Sequence, residues 1–210
     1  MTGTPIDLST WPRAGAYRLF RGFQQPRFSV TARLDVSRVA ARRASGLSPF
    51  RACLFAIANG FHAVPDLRVR FTPDGQVLSF DRMILSHTVA LPDGSFGYAY
   101  VTFDPDWDTF DAASKAENEA IRAGSRRKAN LGERVDMIYL SCLPWVDFTG
   151  MTNAIPGPED CVPRLSWGKF VQERDGSTTC AFAAEVHHAV CDGAHLGQAI
   201  TVIQETLDRF

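Results

Sequence analysis

The stretch Glu185-Val186-His187-His188-Ala189-Val190-Cys191-Asp192-Gly193-Ala194-His195 decides the fold, because a predicted strand ends and a predicted helix begins within it. Residues 178–186 are rich in Ala, Thr, Cys and Phe and carry one charge, which is typical of a strand buried on both faces. Asp192-Gly193 is a turn signal. After the turn, apolar residues recur at helical spacing, at Leu196, Ala199, Ile200, Ile203 and Leu207. The stretch therefore predicts a buried strand, a tight turn and an amphipathic helix.

The turn presents His188, with Asp192 four residues further on. An imidazole is the side chain best suited to take a proton from a hydroxyl near neutral pH, because its unperturbed pKa is about 6.5. The carboxylate of Asp192 would orient the ring, hold the turn, or do neither. We expect His187 to be structural, because adjacent strand residues point to opposite faces. From the residues alone, paired histidines at a strand end are more often packed side chains than catalytic ones.

The string from His187 to Gly193 changes that balance, because it resembles the active-site signature of chloramphenicol acetyltransferases. Its looser pattern His-x-x-x-Asp-Gly is shared with the wider family of coenzyme-A-dependent acyltransferases. Trp11-Pro12-Arg13 and the Ser-x-Leu-Pro-Trp that begins at Ser141 are also similar to that family. The resemblance implies a two-layer α/β sandwich with a mixed, largely antiparallel sheet. It also implies a homotrimer whose active sites lie at subunit interfaces.

The resemblance implies four catalytic residues. His188 would accept the proton of a substrate hydroxyl that attacks acetyl-CoA directly, and Ser141 would donate to the oxyanion, without an acyl-enzyme. Arg13 would pair with Asp192 and fix the turn, since a guanidinium can hold a carboxylate in two parallel hydrogen bonds. A covalent route through Cys191 is disfavoured, because the cysteine of the family motif is not the nucleophile.

Six further residues are implied in binding. The resemblance assigns Ser166 to a position that orders a water, and Lys169 and Phe170 to the adenosine end of coenzyme A. It assigns the contacts with chloramphenicol to an aromatic surface formed by Phe20, Phe28 and Phe96. The chain departs from the family at three places: Phe20 replaces a tyrosine, Ser166 replaces a threonine, and Ala194 replaces an aromatic residue. The departures indicate an altered acceptor pocket.

Composition favours a single enzyme domain over residues 1–210, without a linker or a composition break. The net charge of -1 gives no sign of a nucleic-acid or membrane surface. Five scattered cysteines without Cys-x-x-Cys spacing suggest neither disulfides nor a zinc site, and no metal is expected. The start of the chain shows no signal-peptide pattern, so we expect a cytoplasmic protein with reduced thiols, neither exported nor anchored.

Two internal helices are predicted. Ser48-Pro49 signals the start of a helix over 50–64, and apolar periodicity predicts another over 107–122. A basic cluster follows the second helix, at Arg122, Arg126, Arg127 and Lys128. A solvated turn is the favoured interpretation of the cluster, and electrostatic guidance of the phosphates of coenzyme A is the alternative.

The middle of the chain favours antiparallel sheet. Hairpins are predicted around Pro73-Asp74-Gly75 and Pro92-Asp93-Gly94. The second hairpin carries an aromatic strand face that the pattern favours as core, formed by Phe96, Tyr98 and Tyr100. Near the start, the residues around Tyr17–Arg21 favour a loop and an edge strand.

Three functions compete at this point. The first is acetylation of chloramphenicol by acetyl-CoA, with no bound cofactor, and the second is the same chemistry on a different small alcohol. The third is a catalytically silent trimer that binds small molecules, which is disfavoured because His188, Asp192, Arg13 and Ser141 are all present.

Overall fold

A computed structural model describes residues 3–130 and 132–210 of the chain. Its helices are α1 (Ala14–Arg21), α2 (Ser37–Ala41), α3 (Pro49–Ala63), α4 (Trp107–Arg122) and α5 (Gly193–Leu207). Its strands are β1 (Thr4–Pro5), β2 (Arg27–Asp35), β3 (Val69–Phe71), β4 (Val77–Ser79), β5 (Ile84–Ala90), β6 (Phe96–Thr102), β7 (Met137–Cys142), β8 (Arg164–Trp167), β9 (Val171–Gln172) and β10 (Thr178–His187). Short 3₁₀ helices span Arg42–Ser45 and Pro65–Arg68. The helices predicted over 50–64 and 107–122 are confirmed.

The central sheet has the strand order β2-β10-β8-β7-β5-β6, and β9 pairs with β10. The pairs β5–β7 and β7–β8 are parallel, and the other pairs in this sheet are antiparallel. The predicted mixed, largely antiparallel sheet is therefore confirmed. The expectation that the middle of the chain is wholly antiparallel is wrong in part, because β5 takes a parallel neighbour. The first predicted hairpin, β3–β4, forms a separate small sheet with β1.

Helices cover one face of the central sheet and make the second layer. Leu140, Leu165 and Phe182 project from adjacent strands into the main hydrophobic core, with α3 and α5 packed over them. The two helices approach closely at Gly60, where an added Cβ would lie 2.4 Å from Cγ1 of Ile203. Side chains alternate along each strand, so the residues next to these three point to the opposite face. That face carries Ser141 and Ser166.

The structure corrects the interpretation of residues 17–21, which form α1 rather than a loop and an edge strand. Tyr17 is buried, and its ring lies 5.8 Å from that of Phe71 and 5.9 Å from that of Trp11. An eight-residue helix is too short for periodicity to identify, and these tertiary contacts stabilise it.

The aromatic face of β6 is also corrected. The core side of the strand carries Gly97, Ala99 and Val101, whereas Phe96 is 57% exposed. Gly97 explains why this face of β6, and not the aromatic one, points to the core. Helix α4 packs so closely here that an added Cβ would lie 2.4 Å from Cγ2 of Ile121. Large rings have no room on that side.

Within the described ranges, no helix is long and apolar enough to cross a membrane.

Candidate active site

His188 immediately follows the last residue of β10, where the chain leaves the sheet. Its backbone N–H donates to the carbonyl of Pro26 at 2.8 Å, which extends the pairing with the segment before β2. Its ring Nδ1 lies 3.0 Å from the carbonyl oxygen of Cys191. A carbonyl can only accept, so Nδ1 carries the proton and Nε2 keeps a free lone pair. The turn thus presets the tautomer that a general base needs.

Two phenylalanines pack against the imidazole of His188. Phe20 on α1 stacks on it with 4.0 Å between ring centroids and 7° between planes, and Phe28 on β2 lies 4.6 Å away at a tilt. Both were predicted as substrate contacts. Phe20 projects from a helix, not from the edge strand that the sequence favoured. The ring of His188 is therefore held in an apolar setting built from two separate elements.

Arg13 and Asp192 form the predicted ion pair, with Nη1 2.7 Å from Oδ2. The expected second hydrogen bond to the carboxylate is wrong. Nη2 donates instead to the backbone carbonyl of His188 at 3.3 Å. The guanidinium therefore links the carboxylate of Asp192 to the backbone of His188 across the turn.

Asp192 is also the N-cap of α5. Its Oδ1 accepts from the backbone N–H of Ala194 at 3.0 Å, and its own N–H donates to Nδ1 of His195 at 3.0 Å. Burial raises the pKa of Asp192, but the hydrogen bond from Arg13 and the nearby positive charge outweigh it, so the pKa lies below its usual value. The carboxylate is ionised at neutral pH and holds the start of the helix.

A second carboxylate, that of Asp66, approaches the same group. Its Oδ1 lies 3.9 Å from Nε of Arg13, and its Oδ2 lies 3.5 Å from Nε2 of His195. Sequence reasoning missed both Asp66 and His195. The spacing of His195, three residues after the N-cap, was a usable signal for a capping box. Asp66 gave no signal, because its contacts join distant parts of the chain.

His187 is structural, as its position in the strand predicts. Its Nε2 lies 2.9 Å from the carbonyl oxygen of Pro158, and its Nδ1 accepts from the N–H of Ala189 at 3.1 Å. Burial lowers the pKa of His187 to about 4, so the ring is neutral. Burial raises the pKa of Cys191 to about 12, which keeps that thiol protonated and inert as a nucleophile.

Ser141 and Ser166 lie side by side on β7 and β8, away from His188. Ser141 pairs with Ser166, which pairs with Ala183 of β10. His188 is five residues beyond Ala183, about 16 Å further along at roughly 3.3 Å per residue. The predicted base and the predicted oxyanion donor of one chain therefore do not meet. Ser166 is buried, and its Oγ has no hydrogen-bond partner among the described residues.

Lys169 and Phe170 follow β8 and line a cavity of about 620 Å³. Cys142 and Trp167, the strand neighbours of the two serines, line it as well. Lys169 donates its backbone N–H to the carbonyl of Val146 at 2.9 Å, which fixes this segment against the one after Ser141. Phe96 does not line this cavity; it is exposed on β6, one of the two edge strands of the central sheet.

Residues 1–204 match the sequence model of a protein family, and that family is chloramphenicol acetyltransferase. The chain belongs to the chloramphenicol acetyltransferase family. It is 29% identical to chloramphenicol acetyltransferase 2 of Escherichia coli over 99% of this chain and 98% of that protein. It is also 29% identical to the chloramphenicol acetyltransferase of Streptomyces acrimycini over 98% of this chain and 94% of that protein.

Solved structures agree with this family. One named chloramphenicol acetyltransferase superposes with a TM-score of 0.90 and 27% identity, covering 98% of this chain and all of that one. The cubic core of a pyruvate dehydrogenase complex superposes with a TM-score of 0.63 and 18% identity, over 99% of this chain and 91% of that one, which shows a shared fold alone.

As a member of the chloramphenicol acetyltransferase family, the protein is an acetyl-CoA-dependent acyltransferase. In residues 3–130 and 132–210, no three His, Cys, Asp or Glu side chains are grouped to hold a metal ion.

Proposed function

We propose that the protein is a chloramphenicol O-acetyltransferase, which inactivates the antibiotic by transferring acetyl from acetyl-CoA to one of its hydroxyls. The observation that carries the proposal is the setting of His188. Its Nδ1 donates to the carbonyl of Cys191, and its Nε2 is left free to accept a proton.

The acetyl group passes directly from acetyl-CoA to the acceptor hydroxyl, without an acyl-enzyme. Nε2 of His188 accepts the proton of the hydroxyl while that oxygen attacks the thioester carbonyl. The hydroxyl of Ser141 donates to the oxyanion of the tetrahedral intermediate. When the carbon–sulfur bond breaks, the imidazolium returns the proton to the thiolate, giving the acetyl ester and free coenzyme A. The raised pKa of Cys191 supports direct transfer over a cysteine intermediate.

The distance between the two proposed catalytic groups supports a site shared between copies of the chain, as in the homotrimer that the family resemblance implies. His188 and Ser141 of one chain are separated by far more than a substrate hydroxyl and a thioester carbonyl span. His188 therefore works with Ser141 of a neighbouring copy, at an interface. Exposed apolar side chains support such association, and they are Leu19, Phe23, Phe96, Trp145 and Val146.

The cavity beside β8 is the proposed site for coenzyme A. Lys169 offers a positive charge to a phosphate, and Phe170 offers a ring to the adenine. The buried Oγ of Ser166 is suited to hold a water near the intermediate, as implied by the family. Arg127 of the basic cluster already forms a bidentate pair with Glu117, which favours the solvated turn over a role in guiding the cofactor.

The acceptor has a second candidate. The rings of Phe20 and Phe28 present no hydroxyl to a substrate, so a different, less polar alcohol fits the same chemistry. A silent binding trimer is disfavoured by the preset tautomer of His188. We also propose a cytoplasmic location, because all five cysteines are free in the structure.

One assay tests the activity directly. Thiol release from acetyl-CoA is measured with chloramphenicol, with a panel of other small alcohols and with no acceptor, and the products are identified by mass spectrometry. The proposal expects release that depends on chloramphenicol and an O-acetyl product. A much higher kcat/KM for another alcohol would support the second candidate. No release with any acceptor would reject both.

A further inference from the structure

We infer that Asp66 is a positioning residue for His188, acting through Arg13 and His195. The inference rests on the proposed function, in which His188 is the base. Asp66 makes no contact with His188 itself among the interactions of the described residues. Asp66 instead fixes the side chains of Arg13 and His195, and these two side chains stabilise the turn that carries His188.

Arg13 provides the first connection. Nη1 and Nη2 are used by Asp192 and by the carbonyl of His188. Nε is buried and makes no hydrogen bond to any described residue, and the carboxylate of Asp66 faces it at 3.9 Å. At that distance the interaction is electrostatic rather than a hydrogen bond. Asp66 therefore restrains the guanidinium at Nε, while Nη1 and Nη2 hold the turn.

His195 provides the second connection, through its tautomer. Nδ1 of His195 accepts the backbone N–H of Asp192, so the neutral ring must carry its proton on Nε2. That Nε2 faces Oδ2 of Asp66 at 3.5 Å. A carboxylate at this position favours the Nε2–H tautomer. In the other tautomer, Nδ1–H would be opposed by the N–H of Asp192 and would turn to Oδ1 of Asp192, 3.2 Å away, so the capping box would be lost.

Asp66 is well placed to act as a fixed point. It lies in the 3₁₀ helix Pro65–Arg68, where the neighbouring Leu67 is fully buried in the main core. Its two carboxylate oxygens face two different partners, one from the segment before α1 and one from α5. Asp66, just after the C-terminus of α3, thereby fixes the position of the turn that carries His188 relative to the core.

The test compares two alanine variants of the full chain. Asp66→Ala should lower kcat about three- to tenfold, with the KM for each substrate within about twofold, because transition-state geometry is lost and binding is not. Asp111→Ala is the matched control. Its carboxylate pairs with Arg51 between α4 and α3 at a similar side-chain exposure, 25% against 29%. Among the described residues it forms no hydrogen bond or ion pair with a residue of the site. It should keep kcat.

A second readout does not depend on turnover. In ¹⁵N spectra of the histidine rings, wild-type His195 should be the Nε2–H tautomer, and Asp66→Ala should shift it toward Nδ1–H. If the wild type acetylates nothing, the proposed function fails while this spectrum still decides the inference. An unchanged tautomer of His195, or a kcat that falls no further than in Asp111→Ala, would overturn it.

Discussion

The imidazole of His188 lies flat against the phenyl ring of Phe20, with 4.0 Å between centroids and 7° between planes. The same short segment of chain carries Arg13, which reaches the backbone carbonyl of His188 and the carboxylate of Asp192. One segment therefore sets both the plane of the His188 ring and the shape of the turn that carries it. Changes at Phe20 or Arg13 are expected to alter the geometry of His188, the proposed base.

The two hydrogen bonds from Arg13 predict that Arg13→Lys is poorly tolerated. An ammonium is a point donor and cannot reproduce a fork that reaches two acceptors in fixed directions. We expect kcat to fall about tenfold or more, since the position of His188 relaxes. Kinetics with both substrates check this, and wild-type kcat in the lysine variant would show that the charge alone suffices.

Asp192→Ala should reduce stability and activity together. It removes the N-cap of α5, which costs about 1 kcal/mol, and leaves Arg13 without its carboxylate. The pKa of Asp192 is lowered in the folded chain, so its stabilising contribution is present above the unfolded pKa. That contribution is lost as the pH falls through the folded pKa. Urea unfolding at neutral pH checks the loss, with Asp111→Ala as the reference for a broken ion pair elsewhere.

Much of this site follows from the sequence, and the reason is local. The strand-turn-helix unit around His188 is specified by consecutive residues, so composition and periodicity were enough to predict β10 and α5. The capped helix α4 was predicted for the same reason, with Asp106 accepting from the N–H of Thr109. These are elements whose signals lie within one helix or strand.

The parts that sequence reasoning missed depend on tertiary contacts. Helix α1 is stabilised by packing of Tyr17 on Phe71, which no local pattern encodes. Asp66 meets Arg13 and His195 only because three separate segments converge. The exposed position of Phe96 follows from the close approach of α4 to Gly97. In each case a partner distant along the chain decides the outcome.

The half-buried His62 and the buried His187 predict acid lability. In His62, Nδ1 lies 2.9 Å from the carbonyl of Ala58 and Nε2 accepts from the N–H of Met83, so the ring is neutral. Burial lowers the pKa of His62 to about 4, as it does for His187. Between about pH 6.5 and 4 the unfolded chain binds these protons and the folded chain does not, so the free energy of unfolding falls as the pH falls.

The measurement is urea unfolding between pH 8 and pH 4.5, with His62→Gln beside the wild type. The variant should be less stable at pH 7, yet its stability should change less with pH, by on the order of 2 kcal/mol. Identical pH slopes in the two proteins would mean that His62 does not titrate on unfolding. Above pH 7 both curves should be flat with respect to this group.

Mixing two inactive variants tests the shared site. His188→Ala and Ser141→Ala alone should each lose a hundredfold or more of kcat, because one lacks the base and the other the oxyanion donor. If base and donor come from different chains, trimers refolded from an equal mixture should regain about a quarter of the wild-type sites. Each chain refolded alone is the control. Mixed assemblies that contain both chains and remain inactive would show that His188 and Ser141 do not complete a shared site.

The last prediction concerns the acceptor, where the chain departs most from its family. Phe20 covers one face of His188 and offers no hydroxyl, so a bound chloramphenicol loses a hydrogen bond worth roughly 0.5–1.5 kcal/mol, or about two- to tenfold in affinity. Phe20→Tyr should therefore lower the KM for chloramphenicol while leaving kcat nearly unchanged, since the stacked ring is retained. Phe28→Tyr is the comparison, because its ring also packs on His188 but at a tilt of 45° and 4.6 Å. Steady-state kinetics with chloramphenicol and with an apolar alcohol separate the two effects.

A KM that is unchanged or higher in Phe20→Tyr, in a variant that unfolds like the wild type, would show that the para position of this ring does not face the acceptor. Chloramphenicol would then lose its structural advantage over a simpler alcohol.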